Sequence, residues 1–387
     1  MKGDIVMNII VYSNNYPNIY LPTKGLFLHQ LVQALINENQ SEFVVNVMVP
    51  VSFQKIVLAD KNSLSIDKAN SVKVFFVFSF GKKMNNILKH IIAWQHRLSL
   101  LWASKGDVYT HTNIVYCHFL WNLDGAVILS RRYRVPLILA LGESEFSVYN
   151  KPESIKRYQD LLSNVDAVIT VSNKLKAEFL QLFEYRKESI TVLPNAVDLQ
   201  KFRFLPQNKQ HCLGVSRRGE SGIVVGFVGG LIQRKGVDIL EKLINDFPEV
   251  DFVVIGKGKL LQRENVIFSG VLKHDEIPGM LSFCDVFVFP SRAEGAPNAL
   301  IEAMACQNAC IVSDIPEIRD FIPSNSVRWC NTKDYSSWRV ALATIISNRL
   351  LLDDYSHRAK EASLNFSLAV RARKIADVIK KISNNYQ

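Results

Sequence analysis

The chain of 387 residues is too long for one ordinary hydrophobic core and indicates two domains, while 48% hydrophobic and 21% charged residues are typical of a globular protein. The formal net charge of +10 favours anionic partners, and residues 1–205 carry most of the basic excess. No stretch reaches the roughly 18 consecutive apolar residues that a membrane-spanning helix requires, so the sequence predicts no transmembrane segment.

Short β-rich runs alternate with helix-period patterns along the chain, which predicts an α/β protein whose parallel sheets are covered by helices. The start of the chain, residues 1–12, is predicted to form the first strand and not a signal peptide, because it carries Asp4 and lacks a small-residue cleavage site. A helical pattern then begins at Gly25, where a missing side chain would let the backbone approach a ligand. The six cysteines form no C-x-x-C pair, which predicts reduced thiols, a cytoplasmic location and no zinc site.

A basic amphipathic helix is predicted over residues 82–104, within a stretch (68–106) that contains no acidic residue. The basic residues of this stretch are Lys68, Lys73, Lys82, Lys83, Lys89, Arg97 and Lys105. An apolar stripe with Trp94 and Trp102 runs along the helix, and it fits docking on an anionic membrane surface as well as ordinary core packing. Nucleic acid is a third basic-patch partner, but no recognition motif supports it.

Polar side chains also follow two apolar runs of the first half. His118 ends the run Val115–His118, and Glu143 and Ser144 follow the run 136–142. A lone histidine after an apolar strand is more often structural than functional, so these residues alone assign no activity.

The polar segment 206–222 is the best linker candidate and predicts a domain boundary between residues 205 and 206. Beyond it, a strand leads into a glycine-rich loop that holds Gly229, Gly230, Arg234 and Lys235. The two cations would lie over a diphosphate, where arginine can bind two oxygens at once and lysine acts as a point charge. A merely solvated Arg-Lys pair is the alternative, and the helix dipole disfavours it. A later strand also ends in a glycine, at Gly256.

The most informative stretch is 285–306. Its apolar run Asp285–Phe289 predicts a buried parallel strand, and Pro297 is predicted at the first position of a helix. A strand, a glycine-bearing loop and a helix N-terminus together form an anion site, because the amides of the first turn are free and the helix dipole adds partial positive charge. The residues predicted to line this site are Gly295, Ala296, Pro297, Asn298, Ala299 and Leu300.

Two carboxylates, Glu294 and Glu302, flank the predicted anion site. Glu302 lies about 7–8 Å along the helix axis from Pro297, at 1.5 Å per residue. A carboxylate beside a phosphate is explained if it accepts hydrogen bonds from neutral hydroxyls, which a sugar or a ribose carries. The alternative is a helix that only caps and packs, with two surface glutamates.

The spacing of Glu294 and Glu302 within a strand–loop–helix unit resembles the E-x7-E element of retaining glycosyltransferases with the GT-B fold, especially family 4 (glycosyltransferase group 1). That resemblance implies two Rossmann-like domains facing across a cleft. The first would comprise residues 1–205 with a C-terminal helix, 366–387, crossing back, and the second residues 206–365.

The resemblance also implies roles for individual residues. The family's first-domain histidine reaches the transferred sugar, which assigns that role to His118, and a first-loop glycine near the donor phosphates corresponds to Gly25. Glu294 would position the sugar and Glu302 would hold the ribose, while Lys235 and Arg234 would stabilise the departing diphosphate.

The chain departs from the family pattern at two positions. Relatives often have histidine where Leu141 stands, so Glu143 and Ser144 are expected to contact the acceptor instead. Many relatives have arginine where Gly230 stands.

The reaction implied is the retaining transfer of a hexose from a nucleotide-diphosphate sugar to a hydroxyl of a growing, lipid-linked bacterial surface glycan such as lipopolysaccharide. The expected partners are the nucleotide sugar, the acceptor and an anionic membrane surface at the inner face of the membrane, with no nucleic acid. No cofactor and no metal ion are expected. The alternatives are a nucleotide-sugar 2-epimerase of the same fold and a non-catalytic, basic membrane-binding protein with a relic site.

Overall fold

The computed structural model describes residues 6–18, 24–39, 42–52, 72–77, 86–105, 111–143, 146–209, 211–217, 222–259 and 263–386. The chain divides into two compact units. The first comprises Met1–Leu193 and Ala369–Gln387, and the second comprises Pro194–Leu368. Each unit is built on a parallel sheet, so the predicted α/β class is confirmed.

The first unit contains a seven-stranded parallel sheet in the order β3-β2-β1-β4-β5-β6-β7. Its strands are β1 (Met7–Tyr12), β2 (Phe43–Ser52), β3 (Val72–Val77), β4 (Thr112–His118), β5 (Leu137–Leu141), β6 (Ala167–Thr170) and β7 (Ile190–Val192). Before the chain passes to the second unit after Leu193, the described helices of the first unit are α1 (Leu26–Glu38), α2 (Asn86–Ala103), α3 (Leu123–Tyr133), α4 (Pro152–Leu162) and α5 (Asn173–Leu182).

Successive residues of the central strand β1 pack into different cores. Ile9 and Val11 join the core that contains Leu28 of α1, whereas Ile10 joins the core that contains Leu123 of α3. Because strand side chains alternate between the two faces, helices cover both faces of this sheet. This burial explains why its strands are almost continuously apolar.

The second unit contains a six-stranded parallel sheet in the order β12-β11-β10-β13-β14-β15, and a short antiparallel hairpin of β8 and β9. The strands are β8 (His211–Cys212), β9 (Val215–Ser216), β10 (Val224–Val228), β11 (Asp251–Ile255), β12 (Val266–Gly270), β13 (Val286–Phe289), β14 (Ala309–Ser313) and β15 (Arg328–Cys330). The helices are α6 (Val237–Asp246), α7 (Ile277–Phe283), α8 (Asn298–Ala305), α9 (Pro316–Arg319), α10 (Tyr335–Ile346) and α11 (Arg349–Ser363).

The division between the units falls earlier than the predicted boundary at 205/206. Val197 and Phe202 pack into a core of the second unit, and the Val197 amide donates to the carbonyl of Phe366 at 2.8 Å. These contacts place the segment after Leu193 in the second unit, although it directly follows β7, the last strand of the first sheet. The chain returns at Ala369, and helix α12 (Leu368–Asn384) buries Ile375 in the first unit's core.

Helix α2 is the basic amphipathic helix predicted over 82–104, of which residues 82–85 lie outside the described part. Leu100 and Ala103 are buried in the first unit's core, so core packing is confirmed. Trp94, Leu98 and Trp102, which lie four residues apart on the opposite side of the helix, are 63%, 44% and 74% exposed. Helix α2 thus has an apolar face on each side.

Candidate active site

The loops that carry the predicted donor residues follow neighbouring strands at the centre of the second sheet. Strand β10 pairs with β11 on one side and with β13 on the other, so the strand order reverses between β10 and β13. The loop after β10 begins at Gly229, and the loop after β13 begins at Pro290. In open α/β sheets ligands bind at the carboxyl ends of strands at this reversal, so the topology brings the two loops to the expected position.

At two glycines of this region, the backbone of another segment lies so close that no side chain would fit. Gly236 is the N-cap residue of α6 with φ +73°, and a Cβ atom there would lie 2.2 Å from the carbonyl oxygen of Pro290. A Cβ atom on Gly256 would lie 1.8 Å from the carbonyl oxygen of Gly229. A Cβ atom on Gly230 or Gly295 would instead meet no atom of the described part of the chain within 4 Å. These last two glycines therefore border open space.

Lys235 and Glu294 form an ion pair at the centre of the site. The Lys235 Nζ atom donates to Glu294 Oε1 at 2.6 Å, and the two side chains are only 19% and 4% exposed. The ammonium group also lies 5.6 Å from the ring centroid of Phe289, at the end of β13. Neither residue was predicted to contact the other, because 59 positions separate them in the sequence.

Two arginines fasten the same loops to each other. Arg234 Nη1 donates to the carbonyl of Ala293 at 2.8 Å, so one nitrogen of this guanidinium already has a hydrogen-bond acceptor within the protein. Arg292 binds the carboxylate of Asp238 in α6 through two hydrogen bonds of 2.8 and 2.7 Å, and these bonds lower the pKa of Asp238. Arg292 Nη1 also donates to the carbonyl of Gln233 at 2.6 Å. Sequence reasoning missed Arg292 and Asp238, since only the fold brings them together.

The N-terminus of α8 differs in detail from the prediction. The helix begins at Asn298, so Pro297 is the N-cap residue and not the first helical residue. The amides of Asn298 and Leu300 already donate to the carbonyls of Ala296 and Pro297, at 2.9 and 3.0 Å. Among the described residues, no acceptor is found for the amides of Gly295, Ala296 and Ala299. These three N–H groups are the ones available to an anion.

Glu302 lies on α8 with its side chain 13% exposed, 3.4 Å from Nε2 of His274. The Nδ1 atom of His274 lies 2.8 Å from Lys201 Nζ, and an ammonium group can only donate. His274 therefore accepts at Nδ1 and carries its proton on Nε2, directed at Glu302. Sequence reasoning missed His274, which precedes α7 without any motif.

The first unit has the same strand reversal, between β1 and β4; the predicted residue Gly25 lies after β1, and His118 is the last residue of β4. Phe27, two residues after Gly25, packs on the imidazole of His118 with 5.3 Å between ring centroids. Gly25 has φ +71°, and a Cβ atom there would lie 2.0 Å from the carbonyl oxygen of Asn15. Chain conformation thus accounts for Gly25, and its ligand role stays a prediction.

His118 is 2% exposed, and neither ring nitrogen has a hydrogen-bond partner among the described residues. Burial lowers its pKa to about 3, with a further contribution from nearby Arg371, so the imidazole is neutral at physiological pH. A buried imidazole with both nitrogens unpaired costs free energy unless a ligand supplies partners. The predicted contact of His118 with the transferred sugar stays a prediction.

The two residues assigned to the acceptor side have different outcomes. Both carboxylate oxygens of Glu143 accept backbone N–H groups, from Leu120 at 2.6 Å and from Gly142 at 2.9 Å, and the residue is 6% exposed. The structure therefore gives this carboxylate partners within the protein, and its contact with the acceptor stays a prediction. Ser144 lies outside the described residues.

Other predicted features concern metals, thiols and membranes. No group of three or more His, Cys, Asp or Glu side chains in the described ranges is placed to hold a metal ion. The six cysteines are free and buried, as predicted for structural thiols. None of the described helices is both long and apolar enough to cross a membrane.

The fold defines a class of protein: the two parallel-sheet units have the fold of GT-B glycosyltransferases. HepE of Anabaena, solved with UDP-glucose, is 17% identical with a TM-score of 0.67, and the match covers 97% of this chain and 100% of that one. At that identity the likeness shows the fold alone.

Family models then make the assignment specific. The model for glycosyl transferases group 1 matches residues 214–362, and that for glycosyltransferase family 4 matches residues 57–201. The chain belongs to this family of group 1 glycosyltransferases, and the predicted resemblance is confirmed.

Two curated relatives illustrate the family. The putative teichuronic acid biosynthesis glycosyltransferase TuaC of Bacillus subtilis (strain 168) is 27% identical over 219 residues, 54% of this chain and 54% of that protein. The alpha-galactosylglucosyldiacylglycerol synthase of Streptococcus pneumoniae is 25% identical over 232 residues, 55% of this chain and 60% of that protein. The chain thus spans little more than half the length of these two relatives.

Proposed function

We propose that this glycosyltransferase moves a hexose, with retention of the anomeric configuration, from a nucleotide-diphosphate sugar to a hydroxyl of a lipid-linked glycan. The observation that carries the proposal is the pairing of Lys235 with Glu294 at the strand reversal of the second sheet, beside the free amides of Gly295, Ala296 and Ala299. One cluster thus offers cations and amides for a diphosphate and a carboxylate for sugar hydroxyls.

The donor site would work by electrostatic stabilisation of the leaving group. Negative charge develops on the diphosphate as the sugar departs, and Lys235, Arg234 and the free amides are held in place before the reaction. The open space beside Gly230 and Gly295 leaves room for phosphate oxygens close to the backbone. We propose that these groups replace a divalent metal ion.

Glu294 would change partners when the donor binds. Glu294 accepts a hydrogen bond from Lys235, and with the donor bound it would accept from sugar hydroxyls while Lys235 turns to phosphate oxygens. Glu302, held by His274, would bind the ribose. No side chain is assigned as a nucleophile. The acceptor hydroxyl would attack on the face that the diphosphate leaves: its bond to the anomeric carbon forms as the sugar–diphosphate bond breaks, its proton passes to the departing diphosphate oxygen, and the configuration is retained.

Calorimetry with a panel of UDP-, GDP- and ADP-sugars, each in the presence of EDTA, tests the donor site. We expect one nucleotide series to bind without metal. We also expect Glu294→Ala to abolish transfer, while Glu361→Ala, on the exposed surface of α11, leaves it unchanged. Full turnover by Glu294→Ala, or binding only with Mg²⁺, would contradict the proposed site.

The proposed acceptor is lipid-linked because α2 presents a basic and apolar surface. Trp94, Leu98 and Trp102 form its outer face, and exposed Arg97 lies beside them. Tryptophan rings and cations on one helix face are typical of contact with an anionic bilayer. The names of the two curated relatives, one a diacylglycerol glycolipid synthase and one a teichuronic acid enzyme, support an envelope glycan or glycolipid.

Transfer of radiolabel from the bound donor to a bacterial lipid extract separates the proposed function from its alternatives. Label in the lipid fraction supports transfer, and nuclear magnetic resonance of the anomeric centre then tests retention. A changed free sugar nucleotide would indicate a 2-epimerase, and neither product would indicate a relic site.

Sedimentation with phosphatidylglycerol vesicles tests the membrane surface separately. We expect Trp94→Ala with Trp102→Ala to reduce binding at least fivefold, whereas Leu350→Ala, which removes an 83% exposed apolar side chain in the second unit, leaves it unchanged. Equal binding by all three proteins would contradict the α2 surface.

A further inference from the structure

The turn that follows His118 contains a backbone conformation that is unfavourable for its residue. Phe119 has φ +71° and ψ 142°, a region that residues other than glycine rarely occupy. Such a conformation persists only where surrounding contacts hold it. The contacts that hold Phe119 therefore decide how the preceding residue, His118, is presented.

Besides the bonds that the Phe119 carbonyl accepts from the Asn122 amide at 3.1 Å and from the Cys117 thiol at 3.6 Å, three hydrogen bonds hold this turn. The Phe119 amide donates to the carbonyl of Ala140 at 2.8 Å, and the side chain of Asn122 donates to the carbonyl of His118 at 2.6 Å. The third is the bond from the Leu120 amide to the carboxylate of Glu143, at 2.6 Å. Of these three bonds, the third is the one formed by a carboxylate, that of Glu143.

Glu143 also fixes its own strand end. Its second oxygen accepts the Gly142 amide at 2.9 Å, so one buried carboxylate joins the loop after β4 to the loop after β5. A neutral amide side chain could keep the bond to Leu120, but its NH₂ group would face the Gly142 N–H, and two donors repel. The site is therefore built for a carboxylate.

The imidazole of His118 lies directly on this turn. It contacts the Phe119 ring edge-to-face with 4.5 Å between centroids, and a Cβ atom on Gly142 would lie 3.2 Å from its Nε2 atom. A rotation of Phe119, or a shift of Gly142, would thus move or obstruct the imidazole. The carboxylate of Glu143 accepts from the Leu120 amide, next to Phe119, and from the amide of Gly142 itself.

We propose that Glu143 is a positioning residue, whose carboxylate holds the Phe119–Leu120 turn and Gly142 and thereby fixes the imidazole of His118 for a substrate hydroxyl. The last part, the substrate hydroxyl, rests on the proposed function. The structural part stands without it.

The surroundings of Glu143 make its ionisation state informative. Among the described residues, the titratable groups that face it are the thiol of Cys117 in β4 and the phenols of Tyr149 and Tyr158. Burial, opposed by backbone hydrogen bonds from Leu120, Glu143 itself and Gly142, raises the pKa of Glu143 to about 7. The pKa of His118, about 3, lies well below this value, so His118 itself does not titrate between pH 6 and 8. Any change of its ring signals in that range must come from a neighbour.

The test uses the full chain labelled with ¹⁵N-histidine and ¹⁵N-leucine. In the wild type, we expect the Leu120 amide and the His118 ring nitrogens to shift with pH, with a midpoint near 7. Glu143→Gln should abolish this step and displace the His118 signals. Asp166→Asn is the matched control, because Asp166 accepts the Leu137 amide at 2.8 Å at the opposite end of β5. It should leave both signals unchanged.

Each outcome of this experiment decides the proposal. If His118 keeps its wild-type signals and its pH response in Glu143→Gln, Glu143 does not position it, and the proposal is overturned. The same holds if Asp166→Asn displaces the signals as strongly, since the effect would then be one of general folding. Neither result depends on a donor or an acceptor, so a failure of the proposed function is distinguishable.

A kinetic measurement extends the test once the donor panel has supplied a substrate pair. Glu143→Gln should lower kcat about tenfold or more with little change in the donor KM. We expect the wild-type rate to rise with pH near 7, as Glu143 ionises, and the variant to lack this rise. Glu143→Asp, which keeps the charge, should recover part of kcat. Wild-type kcat and pH profile in Glu143→Gln would overturn the positioning role.

Discussion

Lys235 and Glu294 are nearly buried and have each other as partners, so each depends on the other for stability. Removing one charge from such a pair leaves the other buried without a partner, which costs on the order of 3–5 kcal/mol when burial is complete. We expect Lys235→Met to lower the melting temperature by several degrees, and the double variant Lys235→Met/Glu294→Gln to recover part of the loss. Both should abolish transfer. Scanning calorimetry measures the stability, and Lys333→Met, an exposed lysine, should change neither property.

The glycines of the site separate conformational from ligand-binding roles. Alanine at Gly236 would require an unfavourable φ and would clash with Pro290, so Gly236→Ala should lower the melting temperature strongly or prevent folding. Alanine at Gly295 meets open space, so Gly295→Ala should keep the wild-type melting temperature within about 2 °C. If donor phosphates occupy that space, Gly295→Ala should still weaken nucleotide binding at least tenfold in calorimetry. Unchanged affinity would place the phosphates elsewhere.

The raised pKa of Glu143 predicts that the protein becomes less stable as pH rises. Its pKa is raised from 4.5 to about 7 on folding, so the folded state binds the proton more tightly than the unfolded state. The corresponding stabilisation is fully present below pH 4.5 and is lost as pH rises through 7, by about 3 kcal/mol in total. Relative to the wild type, Glu143→Gln should therefore become progressively more stable between pH 5 and 8. Parallel curves of melting temperature against pH would rule this out.

Among structural elements, the helix α6 and the loop before α8 are joined by the paired hydrogen bonds of Arg292 and Asp238. Lysine cannot form the two parallel bonds, so Arg292→Lys should loosen the loop that carries Glu294. We expect the nucleotide Kd to rise roughly three- to tenfold, with a small change in melting temperature because the pair is partly exposed. Calorimetry with UDP and GDP measures the first effect.

Arg319 and Asp314 provide a matched control for this prediction. They form the same paired hydrogen bonds, at 2.6 and 2.7 Å, within the second unit but after β14. Arg319→Lys should therefore leave nucleotide affinity unchanged. If both substitutions weaken binding equally, the effect is not specific to the donor loops.

The elements that were predicted well are those whose signal is local in sequence. The strand before Pro290 and the glycine-rich turn before α6 were recognisable because apolar runs, glycines and prolines constrain the chain within a few residues. The partners of the site residues were not recognisable. Lys235 and Glu294 are 59 positions apart, and Arg292 and Asp238 are 54 apart, so their meeting depends on the pairing of β10 with β13.

The division of the chain shows the same limit. The segment around Val197 follows the last strand of the first sheet, yet it pairs with Ser367. That contact joins positions far apart, so the composition of residues 206–222 was a poor guide to the boundary. Similarly, the sequence could not show that Glu143 faces the backbone, since a carboxylate after a strand has the same pattern in either role.

At the scale of the whole molecule, the two units have separate cores, and the first one is completed by the chain's last helix. Ala372, Ile375 and Ile379 of α12 are fully buried with residues of β1 and β2, although they follow the second unit in sequence. The first unit therefore cannot complete its core before α12 is made. Its stability depends on a contact between the two ends of the chain.

Substitution in α12 should consequently destabilise the first unit and spare the second. Ile375→Ala removes a fully buried side chain, which costs about 2–5 kcal/mol, and should reduce hydrogen-exchange protection in β1, β2 and β4. Protection of β10 and β13, and nucleotide binding by calorimetry, should be unchanged. The reciprocal control is Ile345→Ala in α10, also buried, which should reduce protection only in the second unit. If Ile375→Ala lowers protection equally in both sheets, the units unfold together, and the separate cores do not act as separate cooperative units.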